Sequence, residues 1–318
     1  MKKTILTMVL SMLTVCVMAE DEMFKFGGFD TWITRNIRES VLVGGKHRTL
    51  YEVGPTGTFD GQRAFTNQGG CPWANSNVYA KVAGVVKTNV SVYPDEHPGH
   101  GKCAKLVTQI VKCKAIGIIN ISVLAAGSMF TGTTVEPITS TSNPMSKMSI
   151  GIPFNRRPKA LKLDYKYHNP GDTNRVRETG FSKKKVIPGK DMGECTLLLQ
   201  KRWEDEQGNV HALRVGTGIE RITSDAPDWV NGHRIPVHYG DISGESWYKD
   251  YMKLLNGTPM DLHCINSKGK NVKIVEEGWA DENETPNVLI IRFLASCGEA
   301  FYGGVGNTLW IDNVKLIM

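Results

Sequence analysis

The sequence lacks the short motifs by which most enzyme classes are recognised. Its 318 residues contain no G-x-S-x-G elbow, no Walker phosphate loop, no H-E-x-x-H zinc motif and no dinucleotide-binding fingerprint. There is also no C-x-x-C pair, so the usual cysteine-based metal sites are missing. These absences favour a non-catalytic protein over an enzyme, although two carboxyls facing each other across a cleft would leave no motif in the sequence.

The chain also has little excess charge and no long hydrophobic segment. It carries 38 Lys and Arg against 32 Asp and Glu, and no stretch has the dense basic run of a nucleic-acid-binding arm. The apolar run over residues 5–18 is shorter than the roughly 20 residues that a membrane-spanning helix needs. We therefore predict neither a nucleic-acid partner nor a transmembrane segment.

The N-terminus has the pattern of a secretory signal peptide. Two lysines precede the apolar run, and cleavage is expected after Ala19 in Val17-Met18-Ala19. This predicts export to the periplasm, the cell surface or the medium, with a signal peptide over 1–19 and one domain over 20–318. Lipid attachment at Cys16 is the alternative, but Val15 stands where a small residue normally precedes a lipidated cysteine.

Of the seven cysteines, Cys16 lies in the predicted signal peptide and six remain. An even number in an exported protein permits disulfides. Several of them lie in apolar strand patterns, where a free thiol packs as a small hydrophobic group. Both interpretations stay open for Cys71, Cys103, Cys113, Cys195, Cys264 and Cys297.

Apolar and polar residues alternate repeatedly between turns rich in glycine and proline. In the clearest segment Leu161, Leu163, Tyr165 and Tyr167 alternate with polar residues, which is typical of a strand with one solvated face. Further strands are predicted over 102–112, 115–124, 195–203, 210–222, 288–295 and 308–317. Because no crossover helices intervene, we predict an all-β antiparallel sandwich, with a helix over 246–255 inside a long insertion at about 240–286.

The last predicted strand changes its alternation at Asp312-Asn313. Leu309 and Ile311 place apolar side chains at odd positions, whereas Val314 and Leu316 place them at even positions. One extra residue in the strand, a β-bulge, produces such a change. The bulge either turns the Asp312 carboxylate toward an ion or a loop, or only bends the strand.

Two small clusters of polar residues are candidate ligand sites. His97 and His100 flank Pro98-Gly99, but no third metal ligand follows at ligand spacing, so a solvated loop is the favoured interpretation. Arg156 and Arg157 precede the clearest strand. They either offer donors to an acidic or hydroxylated ligand or protect the edge of a sheet.

Aromatic side chains give the positive signal for function. The chain has seven tryptophans, and an indole ring stacks well on the apolar face of a sugar. Trp229 and Trp279 lie in polar segments predicted to be loops, and Trp247 lies in the helix predicted within the insertion. We expect all three to contact a ligand. Trp32 and Trp310 lie in apolar strand patterns and are expected in the core.

Several ordered segments resemble a known bacterial family. They are Gly101-Lys102-Cys103-Ala104-Lys105-Leu106, residues 127–132, Gly151-Ile152-Pro153-Phe154, Tyr165-Lys166-Tyr167 and the closing stretch 301–314. In this order they resemble the "Putative carbohydrate metabolism domain" of gut Gram-negative bacteria from about Gly101 to Met318, and Phe29-Asp30-x-Trp32 resembles its usual opening. The resemblance implies an exported β-jelly-roll similar to galactose-binding-like and carbohydrate-binding modules.

The same resemblance implies a structural calcium ion. Jelly-roll modules that bind sugars often tie their first and last strands together with Ca²⁺. On this basis we expect Ca²⁺ near Asp312, shared with Asp30, since carboxylate oxygens are the ligands that Ca²⁺ prefers.

These observations lead to three hypotheses. The first is an exported, non-catalytic carbohydrate-binding protein that contacts glycan through Trp229, Trp247 and Trp279, with Arg156 or Arg157 as a polar anchor. The second is a glycoside hydrolase-like enzyme whose carboxylates the sequence cannot pair. The third is a cell-surface structural or adhesion protein whose tryptophans contact protein.

Overall fold

The computed structural model describes residues 20–115, 119–140, 143–171, 174–180, 184–256 and 261–318. The predicted signal peptide, including Cys16, lies outside the described residues. Within them the regular secondary structure is β-strand and three short 3₁₀ turns, without an α-helix, so the predicted all-β fold is confirmed. No helix in this part of the chain is long and apolar enough to cross a membrane.

Short strands dominate the first half of the chain. They are β1 (Asp21–Met23), β2 (Trp32–Arg38), β3 (His47–Val53), β4 (Gly57–Asp60), β5 (Trp73–Asn75), β6 (Val78–Val82), β7 (Val85–Asn89), β8 (Val92–His97), β9 (Gly101–Val107), β10 (Gln109–Ala115), β11 (Ile119–Ala125), β12 (Ser128–Thr134), β13 (Met148–Ile150) and β14 (Ile152–Pro153). The 3₁₀ turns are η1 (Val41–Val43), η2 (Pro144–Lys147) and η3 (Asp250–Met252).

Longer strands follow in the second half. They are β15 (Ala160–His168), β16 (Arg175–Arg177), β17 (Lys185–Val186), β18 (Gly193–Glu204), β19 (Val210–Ile222), β20 (Ala226–Pro236), β21 (His238–Tyr239), β22 (His263–Ile265), β23 (Asn271–Trp279), β24 (Val288–Leu294), β25 (Tyr302–Gly304) and β26 (Thr308–Ile317).

Two sheets form the sandwich. The smaller sheet has the order β20-β15-β26-β9-β8, with β1 added along β26. The larger sheet has the order β13-β12-β24-β18-β19-β23-β22, with β5, β14 and β21 attached at its sides. Pairing is mostly antiparallel, but β23 runs parallel to β19. In a separate three-stranded sheet β4 runs parallel to β2.

The main core lies between the two large sheets. From the smaller sheet Leu161, Leu163, Leu309 and Ile311 are fully buried, and they pack toward Leu197, Leu199, Leu289, Ile291 and Phe293 of the larger sheet. Tyr167 is also buried and Tyr165 packs partly against the same cluster, so the predicted inward face of β15 is confirmed. The other face of β15 therefore points away from the core.

Most strand predictions agree with the structure, but some segments differ. The predicted ranges 210–222 and 308–317 are the bounds of β19 and β26. The single strand predicted over 102–112 is wrong, because β9 and β10 are separated at Thr108, whose buried hydroxyl hydrogen-bonds Ser296 at 2.8 Å. The polar segment around Trp229 was predicted as a loop but forms the edge strand β20, where Pro227 and Asp228 are exposed.

The helix predicted over 246–255 is wrong. Only the three-residue turn η3 forms there, and the residue before it, Lys249, provides no side-chain cap. The segment is instead held against β23, since Leu255 N–H donates to the Glu276 carboxylate and Asn256 hydrogen-bonds the Glu276 backbone. Within the predicted insertion at 240–286, strands β22 and β23 extend the larger sheet.

The bulge predicted in the last strand is confirmed. Lys162 pairs with Lys315, and the next pair is Asp164 with Asp312, so β26 advances by one residue more than β15 between them. Asn313 has a φ of 51°, in the left-handed region. This extra residue lets Ile311 and Val314 both face the core while Asp312 points to the outer face.

The described cysteine side chains are free thiols. Cys71, Cys103, Cys195 and Cys264 are buried and Cys297 is half-buried, while the side chain of Cys113 lies outside the described part of the chain. Burial raises the pKa of the Cys71 and Cys103 thiols to about 12. For these five residues the structure agrees with the buried-thiol interpretation.

Candidate functional site

Side chains that can bind or react gather on the outer face of the smaller sheet, opposite the core. Because side chains alternate along a strand, the strands that bury Leu163 and Ile311 turn Asp164 and Trp310 to this side. Trp310 is the direct neighbour of Lys166 in the strand pairing. The outer-face cluster is defined here as Asp95, His97, His100, Lys105, Asp164, Lys166, Trp229, Trp310 and Asp312.

Trp310 is fixed on this face by charged neighbours. Its Nε1–H donates to Asp95 Oδ2 at 2.8 Å, and Lys105 Nζ lies 3.0 Å from the same oxygen. Burial raises the pKa of the Asp95 carboxyl, but the contacts with Trp310, Lys105 and the Glu96 N–H together leave the pKa below its ordinary value. The ammonium of Lys166 lies 4.2 Å from the centre of the Trp310 ring. The expectation that Trp310 is a core residue is wrong, since the buried Leu309 and Ile311 on either side leave it the outward position.

Trp229 joins the same cluster from the edge strand β20. Its ring stacks on His97 with ring centres 3.7 Å apart and an angle of 18° between the planes. Lys166 Nζ lies 5.8 Å from the Trp229 ring centre, so this lysine stands beside both tryptophans. The Trp229 Nε1–H is buried and has no hydrogen-bond partner among the described residues.

His97 is hydrogen-bonded to Asp312 of β26, the strand that carries the bulge. Its Nδ1 lies 2.7 Å from Asp312 Oδ2, and both side chains are buried. His100 also stacks on His97, with ring centres 4.2 Å apart. Burial raises the pKa of the Asp312 carboxyl, although the hydrogen bonds from His97 and from the Asn313 N–H act in the opposite direction.

The bulge also holds the third carboxylate of the cluster, Asp164. Asp164 is paired with Asp312 across β15 and β26. Its Oδ1 accepts a hydrogen bond from Gly232 N–H at 2.6 Å, and its Oδ2 accepts one from Asn313 Nδ2 at 2.8 Å. The same Asn313 amide lies 3.5 Å from Asp312 Oδ2, so one side chain contacts both carboxylates.

Trp247 and Arg157 lie elsewhere, beside an open depression of the surface. Trp247 stacks on His238 with ring centres 4.0 Å apart, and Glu245 and Glu282 line the same depression. The Arg157 guanidinium lies 3.8 Å from the centre of the Tyr239 ring, and it donates to the backbone carbonyls of Glu282 and Glu284.

Trp279 and Arg156 occupy further separate positions. Trp279 is the last residue of β23 and was expected in a loop; it is half-buried, with its ring centre 5.6 Å from the guanidinium of Arg214. Arg156 forms an exposed ion pair with Glu22 at 2.5 Å. Of the five residues predicted to contact glycan, the structure therefore places Trp229 alone in the outer-face cluster.

The two predicted calcium ligands contact the same β8–β9 hairpin at different points. Asp30 is exposed, and its Oδ1 accepts a hydrogen bond from Lys102 N–H at 3.0 Å. Asp312 is buried and contacts His97 at the other end of the turn. The calcium ion stays a prediction.

A cavity of about 220 Å³ lies on the far side of the larger sheet. Its lining is mostly apolar and includes Phe130, Met145, Ile150 and Leu294. It contains none of the residues predicted to contact glycan or calcium. The outer-face cluster combines tryptophan rings, which stack on sugar faces, with charged side chains that can bind hydroxyls, so it is the stronger candidate site for a glycan.

Known proteins provide an independent comparison. The chain is similar to the solved structure of a "putative glycoside hydrolase" from Bacteroides thetaiotaomicron, with 21% identity and a TM-score of 0.47, covering 86% of this chain and 75% of that chain. A second "putative glycoside hydrolase", from Bacteroides vulgatus, has 16% identity and a TM-score of 0.45, covering 77% of this chain and 95% of that chain. Comparison with curated proteins gives no match.

A family model covers most of the chain. It is described as "Putative carbohydrate metabolism domain" and matches residues 46–317. The match begins well before Gly101, the predicted start of the resemblance. It includes β3 and all later strands. The chain therefore belongs to the family described as "Putative carbohydrate metabolism domain", as the resemblance predicted.

Proposed function

We propose that this protein is an exported, non-catalytic carbohydrate-binding protein and that glycan binds to the outer-face cluster. The observation that carries the proposal is the presence of two half-buried indoles, Trp229 and Trp310, on one sheet face beside Lys166. Indole rings supply apolar area for the faces of sugar rings. Membership of a family described by carbohydrate metabolism supports the same conclusion.

The polar groups around the two rings suit sugar hydroxyls. Lys105 and Lys166 bring ammonium donors over the Trp310 ring, with Nζ 5.3 Å and 4.2 Å from its centre, and Asp95 fixes the indole through its Nε1–H. Such a site binds with modest affinity, because polar groups lose water on binding and this loss offsets much of the contact energy. Arg156 and Arg157 are already engaged by Glu22 and by backbone carbonyls, and Lys105 pairs with Asp95, which favours Lys166 as the donor.

A glycoside hydrolase-like activity is the second candidate. It is favoured by Asp164 and Asp312, which are neighbours on adjacent strands and both contact the amide of Asn313. Glycosidases act through two carboxyls, placed about 5 Å apart in retaining enzymes and farther apart in inverting ones. Against it, Asp312 is fully buried and its oxygens are engaged by His97 and Asn313.

Two assays on the purified protein separate the hypotheses. A glycan array should give binding to at least one glycan, whereas a protein that binds only other proteins should give none. Each glycan that binds is then incubated with the protein and tested for released reducing sugar. If the protein releases reducing sugar and Asp164→Asn abolishes that release, the hydrolase replaces the binding proposal. If no glycan binds at millimolar concentration, the structural or adhesion role is favoured.

Export has its own test. The intact mass of the protein, purified from cells that export it, should correspond to a chain that begins at Glu20. A mass that shows lipid on Cys16 would instead support the lipoprotein alternative.

A further inference from the structure

A group of metal-binding side chains lies in the outer-face cluster. His97, His100 and Asp164 each bring one ligand atom to a position where all three atoms lie within 4.8 Å of one another. His97 ends β8, His100 lies in the turn before β9, and the carboxylate comes from β15, on the far side of β9 and β26. No third ligand lies near the two histidines in the sequence. In the structure Asp164, from a different strand, provides it.

The turn that carries the histidines is built to hold their rings together. Gly99 and Gly101 have φ values of 81° and 97°, which glycine adopts readily. His100 N–H donates to the His97 carbonyl at 2.8 Å, which closes the turn and stacks the two rings. A side chain at position 101 would also collide with Asp30, since a Cβ there lies 2.2 Å from Asp30 Oδ1.

Hydrogen bonds from neighbouring residues orient the side chains of His97 and Asp164. His97 contacts Asp312 through Nδ1 at 2.7 Å, and its Nε2 makes no hydrogen bond with the residues that the structure describes. A carboxylate on one ring nitrogen fixes the tautomer that leaves the other nitrogen free for a metal. Asp164 is likewise held, by Gly232 N–H and by Asn313 Nδ2.

We propose that His97, His100 and Asp164 bind a divalent transition metal ion of the Zn²⁺ type, with Asp312 as a positioning residue. Two imidazoles with one carboxylate suit Zn²⁺, Co²⁺ or Ni²⁺, whereas Ca²⁺ and Mg²⁺ take oxygen ligands. Three protein ligands leave a coordination position for water or for an oxygen of a bound molecule. The metal site does not depend on glycan binding, and it differs in ligand chemistry from the calcium predicted at Asp30 and Asp312.

Calorimetric titration of Zn²⁺ into the metal-free protein tests this proposal. We expect one equivalent to bind, and His100→Ala, at an exposed position, to weaken binding by at least about tenfold, since losing only an outer partner commonly costs 10–100-fold. Asp312→Asn should also weaken binding by about 10–100-fold, although it removes no ligand atom. Bound Co²⁺ should give a visible absorption spectrum that His100→Ala abolishes.

His211→Ala is the matched control, because His211 also contacts two carboxylates, those of Asp205 and Glu277. This variant should bind Zn²⁺ as the wild type does. Failure of the wild type to bind Zn²⁺, or equal affinity in wild type and His100→Ala, would overturn the metal site. Glycan binding measured with a chelator present keeps the two proposals apart, since the proposed stacking on Trp229 and Trp310 needs no metal.

Discussion

Arg35 is fully buried and is shared by two carboxylates. Its guanidinium contacts Glu52 at 2.7 Å and Glu136 at 2.6 Å. Burial raises the pKa of Glu52 to about 7, and repulsion by Glu136 adds to the effect, because one cation cannot balance two buried carboxylates. The hydrogen bonds from Arg35 and Asn75 lower the pKa but do not restore the ordinary value of 4.5.

The raised pKa of Glu52 predicts a pH-dependent stability. In the folded protein Glu52 keeps its proton up to about pH 7, whereas in the unfolded chain it loses the proton near 4.5. Its contribution to the free energy of unfolding is therefore largest below pH 4.5 and falls as the pH rises to about 7. Urea unfolding between pH 4.5 and 8 should show this fall in the wild type and a flatter profile in Glu52→Gln. Parallel profiles for the two proteins would contradict the assignment.

Neighbouring residues on β15 should differ sharply in their effect on stability. Leu163 is fully buried between the sheets, so Leu163→Ala should lower the free energy of unfolding by about 2–5 kcal/mol. Lys162 faces outward and pairs with Asp21 near the surface, so Lys162→Ala should cost less than about 1 kcal/mol. Equal midpoints in chemical denaturation, with unchanged slopes, would argue against the assigned faces.

Strand β26 depends on one residue with unusual backbone geometry. Asn313 has a φ of 51°, where glycine is comfortable and a β-branched residue is strained. Both Asn313→Gly and Asn313→Val remove the hydrogen bond to Asp164, but only valine adds backbone strain. Asn313→Val should therefore be less stable than Asn313→Gly by about 1–2 kcal/mol in urea unfolding. Equal stability would mean that the bulge rearranges without cost.

Alternation of apolar and polar residues predicted several of the long strands that bury one face in the core. This holds for β15, β19 and β26, and a shift in the alternation within β26 even located the bulge. It failed for β20, because this edge strand has few buried positions and contains Pro227 and Gly232. The helix predicted over 246–255 is wrong for a different reason, because hydrogen bonds to Glu276 of β23 hold the end of that segment in a non-helical conformation.

The candidate site was only partly predictable. The polar positions of β15 already mark an outward face, and Trp229 was singled out from its sequence context. However, His97 and Asp312 meet across 215 positions of sequence, and nothing local in the chain shows that contact. The outward position of Trp310 follows from the alternation in β26, where Leu309 and Ile311 on either side face the core. The apolar residues around Trp310 made it look like a core residue.

In the whole molecule, the β8–β9 hairpin connects the first residues of the domain to its last strand. Asp30 hydrogen-bonds Lys102 in this hairpin, and Asp312 of β26 contacts His97. If Ca²⁺ binds near both carboxylates, it should raise the melting temperature, because a ligand that binds only the folded state stabilises it. Thermal unfolding of the metal-free protein with and without added Ca²⁺ should then differ for the wild type and coincide for Asp30→Ala. A wild-type melting temperature that is indifferent to added Ca²⁺ would contradict the calcium prediction.

The sandwich leaves one face of its smaller sheet free of core packing, and the outer-face cluster occupies it. Trp247 and Trp279 lie at other places on the molecule, on His238 and Arg214. The location of glycan binding therefore distinguishes the outer face from the sites expected from sequence. Trp203, which is 44% exposed on the larger sheet, provides a matched control for loss of an indole.

Calorimetric titration of the tryptophan variants with a glycan found on the array tests the central claim most directly. Trp229→Ala and Trp310→Ala should each weaken binding roughly tenfold, which corresponds to about 1.4 kcal/mol, while Trp203→Ala, Trp247→Ala and Trp279→Ala should bind as the wild type does. Unchanged affinity in Trp229→Ala and Trp310→Ala, with a loss in Trp247→Ala or Trp279→Ala, would contradict binding on the outer face.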